Sequence, residues 1–285
     1  MLSKILKWVW DKLSKEKQDR ITKILDNSAS FRNLVSILRP NIVDVKGNKM
    51  YIDPKRNPAI ALYDIGGYEN AETQLFERHI KDGDVVLDLG ANIGYFTLIA
   101  AKLVGVNGKV YAFEPDPTNF SFLKKSVEIN NYKNVICEQK AVSNENGKLK
   151  LFLHKFQTGA YTIVGGGSNY VEVETVKLDE YFKDKNSKVD VIKMDIEGAE
   201  GLALEGMQNI LSVNKNIKVF SEIMPTQLEK TRINGENYLN MLTYLGFNIY
   251  EIIEEKNKSN LKLINPSQFK EFVKEKIVTN IFCTK

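Results

Sequence analysis

Apolar runs and amphipathic stretches alternate along the middle of the chain with a regular spacing. VVLDL at 85–89 is followed by a helical pattern from about Tyr95, KVYAFE at 109–114 by another from about Asn119, and NVICEQ closes the series at 134–139. Short apolar strands separated by amphipathic helices predict a parallel sheet with right-handed crossovers. The alternation breaks at 148–176, where KLKLFLH and YVEVETV flank Gly165, Gly166 and Gly167, the pattern of a β-hairpin inserted into a crossover and placed to cover a site beside the sheet. It resumes with VDVIKMD at 189–195, IKVFSEI at 217–223, a helix near 236–245, FNIYEII at 247–253 and KIVTNIFCT at 276–284.

Upstream of the sheet, a helix is predicted over 70–81, a small hairpin over 41–54 around a Gly-Asn turn, and a helix over 21–39 that stops at Pro40. In the first segment Leu2, Ile5, Leu6, Val9 and Leu13 recur at helical spacing, with Lys4, Lys7, Lys12 and Lys15 largely on other faces. Such a basic amphipathic helix suits either docking on an anionic membrane surface or packing on the domain. The expected division is an N-terminal helical and hairpin extension at 1–69 and one α/β domain at 70–285.

Charge narrows the partners. The chain of 285 residues carries a formal +4, but residues 1–39 hold nine Lys and Arg against four Asp and Glu, so the remainder is nearly neutral. A balanced body lacks the basic face that nucleic acid requires, and nucleic acid is not an expected partner. The two cysteines, Cys137 and Cys283, lie in apolar strand patterns and do not form a disulfide framework or a cysteine metal site. The Lys- and Asp-interrupted start is not a signal-peptide core, and no apolar run reaches membrane-spanning length, so a cytoplasmic protein is expected, with peripheral membrane contact through the first helix as the one route to a bilayer.

Candidate chemistry begins at VVLDLGANIGYFT, where a strand ends in Asp88 and runs through Gly90, Asn92 and Gly94 into a helix. Strand, glycine turn and helix form a general nucleotide-binding geometry, with the ligand beyond the carboxyl ends of the strands. A dinucleotide fingerprint would place glycine where Asn92 stands, leaving room for a pyrophosphate. An adenosine joined to a zwitterionic amino acid needs no such seat. Asp88 could then hold the ligand's ammonium, and Glu114, twenty residues after Gly94 at the end of the second strand, could accept from both ribose hydroxyls.

These residues, with VYAFEPDPTNFSFLKKSVEINN, QKAVS and VDVIKMDIEGAE in order after them, resemble the FkbM-type S-adenosylmethionine-dependent methyltransferases from about Phe76 to Pro225. The resemblance implies a Rossmann-like class I methyltransferase fold: a seven-stranded, mostly parallel sheet with its last strand antiparallel. It implies S-adenosyl-L-methionine as cofactor and methyl transfer usually to oxygen, with a glycan or small-molecule hydroxyl as acceptor. It also implies that Asp88, Gly90, Asn92 and Gly94 line the methionine and ribose part of the site, that Glu114 takes the ribose, and that Lys140, Ala141 and Val142 border the adenine.

Methyl transfer needs alignment and, for an alcohol, a base or a metal within hydrogen-bond reach. Asp195, ending a strand beside the cofactor site, is the first candidate and also a cofactor-binding one; Glu222 ends the next strand, and His154 lies at the end of an inserted strand. Asp195, Glu197 and Glu200 leave two readings open, a divalent cation or shared base duty on one side, and on the other a helix cap formed by Glu197 or Glu200. A nicotinamide oxidoreductase on a related sheet and a non-catalytic scaffold are the competing functions, the first disfavoured by Asn92 and the second by the carboxylates at 88, 114 and 195.

Overall fold

The computed structural model of the protein describes residues 41–53, 70–153, 161–162, 170–185, 188–255 and 258–285. The amphipathic segment at the start of the chain, the helical pattern at 21–39, His154 and the glycines at 165–167 lie outside the described residues.

In chain order the elements are a hairpin, β1 (Ile42–Val45) and β2 (Asn48–Tyr51), then α1 (Asn70–His79), β3 (Val85–Leu89), α2 (Tyr95–Leu103), β4 (Lys109–Phe113), α3 (Pro117–Ile129) and β5 (Val135–Glu138). There follow β6 (Ala141–Val142), β7 (Gly147–Leu153), β8 (Tyr161–Thr162), β9 (Tyr170–Val176), α4 (Leu178–Tyr181) and β10 (Val191–Met194). The remainder is α5 (Glu200–Gly206), α6 (Gln208–Val213), β11 (Lys218–Ile223), α7 (Pro225–Leu228), α8 (Gly235–Tyr244), β12 (Asn248–Glu255), β13 (Lys258–Leu263), α9 (Phe269–Lys274) and β14 (Thr279–Thr284).

The main sheet runs in the order β13-β12-β14-β11-β10-β3-β4-β5. The five strands from β11 to β5 pair in parallel, and β14 enters antiparallel between β11 and β12. This is the mostly parallel Rossmann-like α/β sheet expected, with its last strand reversed. It has eight strands where seven were predicted. The extra one, β13, pairs antiparallel with β12 at the edge. KSNLKL carries no apolar alternation, because only Ser259 of its six residues is buried; its lysines suit an edge that must stay unpaired.

Both faces of the sheet are covered, so the interior strands read as continuous apolar runs. Leu87, Leu89, Phe113, Ile192 and Met194 pack on one side with residues of α5, α6 and α8. Val86, Val110, Ala112, Val191 and Phe220 pack on the other with α1, α2 and α3. Val43, Val45, Met50 and Ile52 of the early hairpin belong to this second layer. Phe76 anchors α1 there, edge-on to Phe96 at 5.2 Å and to Phe220 at 5.3 Å between ring centroids.

Local chemistry sets the helix starts. Pro117 opens α3 two residues before the expected Asn119, because Asp116 caps it, accepting from the backbone N–H groups of Thr118 and Asn119 at 3.1 and 2.8 Å. The inserted hairpin is present as β7 and β9, antiparallel from Gly147↔Thr175 to Phe152↔Tyr170. With β6 and β8 it forms a separate four-stranded sheet.

Candidate active site

After β3 the chain moves to β4 and β5 on one side and returns through β10 on the other. The strand order reverses at β3, and a crevice opens at the carboxyl ends of β3 and β10, where an open α/β sheet binds its ligand. Asp88, Asn92, Tyr95, Phe96, Lys193 and Asp195 are among the residues that line it.

The turn after β3 is tightly built. Gly90 (φ +83°), Asn92 (φ +51°) and Gly94 (φ +102°) all take left-handed backbone conformations. A β-carbon on Gly90 would lie 1.9 Å from the carbonyl oxygen of Asp195. The space that glycine leaves at 90 is thus filled by the turn after β10. Gly94 is crowded by Leu123 of α3, 3.0 Å from the position of a β-carbon. Asn92 holds the left-handed position that this residue type tolerates, and its buried Oδ1 has no hydrogen-bond partner among the described residues.

Glu114 is buried behind this turn, its Oε2 accepting from the backbone N–H of Asn92 and its Oε1 from that of Asp116, both at 2.8 Å. Burial pushes its carboxyl up to about 8, against the downward pull of those two N–H groups. Asp88 is also buried and accepts from the Thr97 hydroxyl at 2.5 Å. Burial raises its carboxyl to about 6, opposed by the Thr97 hydrogen bond and the positive charge of Lys193.

The DIEGAE turn divides its three carboxylates. Asp195 opens to the crevice, its side chain 29% exposed. Glu200 turns inward, its Oε1 accepting from the backbone N–H groups of Ile196 and Gly198, each at 3.2 Å, which braces the turn at the start of α5. Glu197 sits at φ +56°, a conformation rare for a residue with a long side chain. Burial and the neighbouring charges of Asp195 and Glu200 push its carboxyl up to about 8, and burial lifts that of Glu200 to about 7. Among the described residues no grouping of three His, Cys, Asp or Glu has the geometry to hold a metal ion.

The other predicted site residues are more scattered. Glu222, on β11, is half-buried and opposite Asn280 of β14, one strand beyond Asp195, and does not line the crevice. Lys140 pairs with Glu174 at 3.5 Å. Ala141 and Val142 are buried in β6, alongside Thr175 and Val176 of β9. Cys137 and Cys283 are free thiols, and no helix among the described residues is long and apolar enough to cross a membrane. Sequence reasoning missed the charged pair at this site, Lys193 on the crevice and Glu72 beneath it. Lys193 could have been flagged as a lysine inside a buried strand, whereas Glu72, which reaches it from α1, carries no local signal.

Three buried carboxyls and one half-buried one, all with raised affinity for protons, make stability depend on pH. Asp88, Glu114, Glu197 and Glu200 bind protons more tightly folded than unfolded, so the folded state holds the extra protons from about pH 4 to about 8. Stability therefore falls as pH rises across that window. Thermal denaturation of the unliganded protein from pH 5 to 8.5 should show a declining Tm; a rise through that range would contradict the assignment.

The Methyltransferase FkbM domain matches residues 88–257, more than half of the chain. Methyltransferase 1 of Beauveria bassiana is 25% identical over 150 residues, covering 45% of this chain and 60% of that protein. Hexuronic acid methyltransferase AglP of Haloferax volcanii is 30% identical over 154 residues, 53% of this chain and 61% of its own length. 31-O-demethyl-FK506 methyltransferase FkbM of Streptomyces tacrolimicus is 25% identical over 162 residues, 46% and 62%. The chain thus spans about three-fifths of the length of these three relatives. With its glycine turn, strand-end acids and DIEGAE turn all falling within the matched region, the chain belongs to the methyltransferase FkbM domain family.

Proposed function

We propose that the chain transfers a methyl group from S-adenosylmethionine to a hydroxyl oxygen of a glycan or small-molecule natural product. The observation that carries the reading is the placement of Asp88 and Asp195 on one crevice at the switch point, with Glu114 buried directly behind its turn and with Asp88 and Glu114 reluctant to ionise. Such a site suits a ligand that brings positive charge, and a sulfonium with an ammonium is one. The buried, unpartnered Oδ1 of Asn92 gives a ligand donor a place to bind, and the turn has no pyrophosphate seat. The residues therefore fit the cofactor. When bound, it supplies an electrophilic methyl carbon.

In this reading Asp88 meets the amino-acid end, Glu114 accepts from the ribose, and Asp195, the most accessible of the three, takes the proton from the acceptor hydroxyl. The acceptor class rests on relatives whose names specify a hexuronic acid and an oxygen-linked position of a natural product. Family membership favours methyl transfer over the nicotinamide alternative.

Calorimetric titration with S-adenosylhomocysteine and, separately, NADH tests the ligand. Binding of the former alone is expected, and binding of NADH alone would transfer the assignment to an oxidoreductase. With an acceptor found in a panel of hydroxylated glycans and natural products, Asp195→Asn should lower kcat about 100-fold, as loss of a positioned base does, while S-adenosylhomocysteine affinity changes less than tenfold. An unchanged kcat would remove Asp195 from the role of base.

A further inference from the structure

An ion pair lies under the crevice in a place where an ordinary α/β core would be apolar. β10 is an interior strand, flanked by β3 and β11. Its Val191, Ile192 and Met194 are fully buried, and so is Lys193, 1% exposed. Lys193 stands in register with Asp88 on one side and Phe220 on the other, which places it on the face that α1 and α2 cover. Its ammonium is 3.3 Å from Oε1 of Glu72 on α1, itself 1% exposed, and 3.9 Å from Oδ2 of Asp195. The Phe96 ring lies 4.9 Å from it. Neither carboxylate oxygen of Glu72 has a hydrogen-bond partner among the described residues.

Taking two charges out of water costs several kcal/mol for each ion, and an apolar pair of the same volume is often no less stable. Stability alone does not account for this pair. The surroundings give it another use. Around Asp88 stand Lys193 and Asp195 from β10 and the turn after it, Glu72 behind the lysine from α1, Thr97 from α2 and Glu114 from the end of β4, with the Cys137 thiol of β5 further off. Among these groups Lys193 is the cation.

We propose that Lys193 is a positioning residue for the cofactor's amino-acid end: it holds Asp88 as a charged carboxylate ready for the ligand's ammonium and anchors the side chain of Asp195 beside it, while Glu72 offsets the lysine's charge from below the crevice. The proposal rests on the reading of this crevice as the S-adenosylmethionine site. Without Lys193, Asp88 would lose the nearby charge that opposes its burial, and its carboxyl would hold its proton to higher pH.

The test uses Lys193→Met and the double variant Lys193→Met/Glu72→Leu, the second removing both charges so that neither is left buried alone. Two readouts are taken: the pH dependence of S-adenosylhomocysteine affinity from pH 5 to 8.5, and the titration of Asp88 in the unliganded protein, followed by carboxyl 13C NMR. Wild-type affinity should fall as pH drops through about 6, where Asp88 takes up its proton. In both variants that midpoint should move up by about one to two units, weakening binding at pH 7 by about twofold to tenfold. The double variant should regain the thermal stability that Lys193→Met loses and still show the displaced profile, since a purely structural pair would restore both together. A double variant with the wild-type pH profile, or an Asp88 titration unchanged in either variant, overturns the proposal. If the wild type does not bind S-adenosylhomocysteine, the cofactor reading fails, and the NMR titration still decides whether Lys193 governs Asp88.

Discussion

Gly90→Ala should cost about 3–5 kcal/mol of stability, as the sum of a left-handed backbone position and a steric collision that only backbone movement can relieve. The added methyl would meet the Asp195 carbonyl at 1.9 Å. A backbone oxygen cannot rotate away as a side chain can, so the turn after β3 and the turn after β10 would have to separate. Gly83→Ala provides the comparison. Gly83 has the same φ of +83° and nothing within 4 Å of its would-be β-carbon, so only the conformational cost of about 1–2 kcal/mol remains. Urea denaturation of the two variants reads the difference. Because the displaced turn carries Asp195, Gly90→Ala should also weaken S-adenosylhomocysteine binding, whereas Gly83→Ala should not. Equal losses of stability would show that the contact between the two turns does not constrain residue 90.

Glu114→Ala is expected to reduce both cofactor affinity and stability. Losing the two hydrogen bonds to the ribose hydroxyls should weaken S-adenosylhomocysteine binding by about 1–3 kcal/mol. The stability loss has a separate origin, since the backbone N–H groups of Asn92 and Asp116 both donate to this carboxylate. Leaving either donor buried without a partner costs about 1–3 kcal/mol. Glu114→Gln keeps one acceptor oxygen and should fall between the two. Calorimetry paired with denaturation separates the effects. Affinity unchanged in Glu114→Ala would move the ribose contact elsewhere, and stability unchanged would mean that water replaces the lost acceptors.

Much of the site was legible from short stretches of sequence. Asp88, Asn92, Glu114 and Asp195 each follow directly from a strand end, and the strands VVLDL, KVYAFE and VDVIKMD are unmistakable because both of their faces are buried. What each residue contacts was less legible. Glycine at 90 reads locally as room for a ligand, yet the nearest atom to its missing side chain belongs to Asp195, 105 positions away. Glu222 reads as a crevice residue because it ends a strand, but the order of strands places it one position too far out. β13 escaped notice because an edge strand needs no apolar face.

The sequence by itself determined the alternation of strands and helices, the glycine turn with its asparagine and the acids at the strand ends, since each depends on residues within a few positions of one another. Only the tertiary structure decided that β10 lies beside β3, that β13 adds an edge beside β12, and that Glu72 of α1 meets Lys193 beneath the crevice. Those juxtapositions arise from how a twisted sheet buries both faces at once. That is a property of the whole packed chain, and no local pattern of residues encodes it.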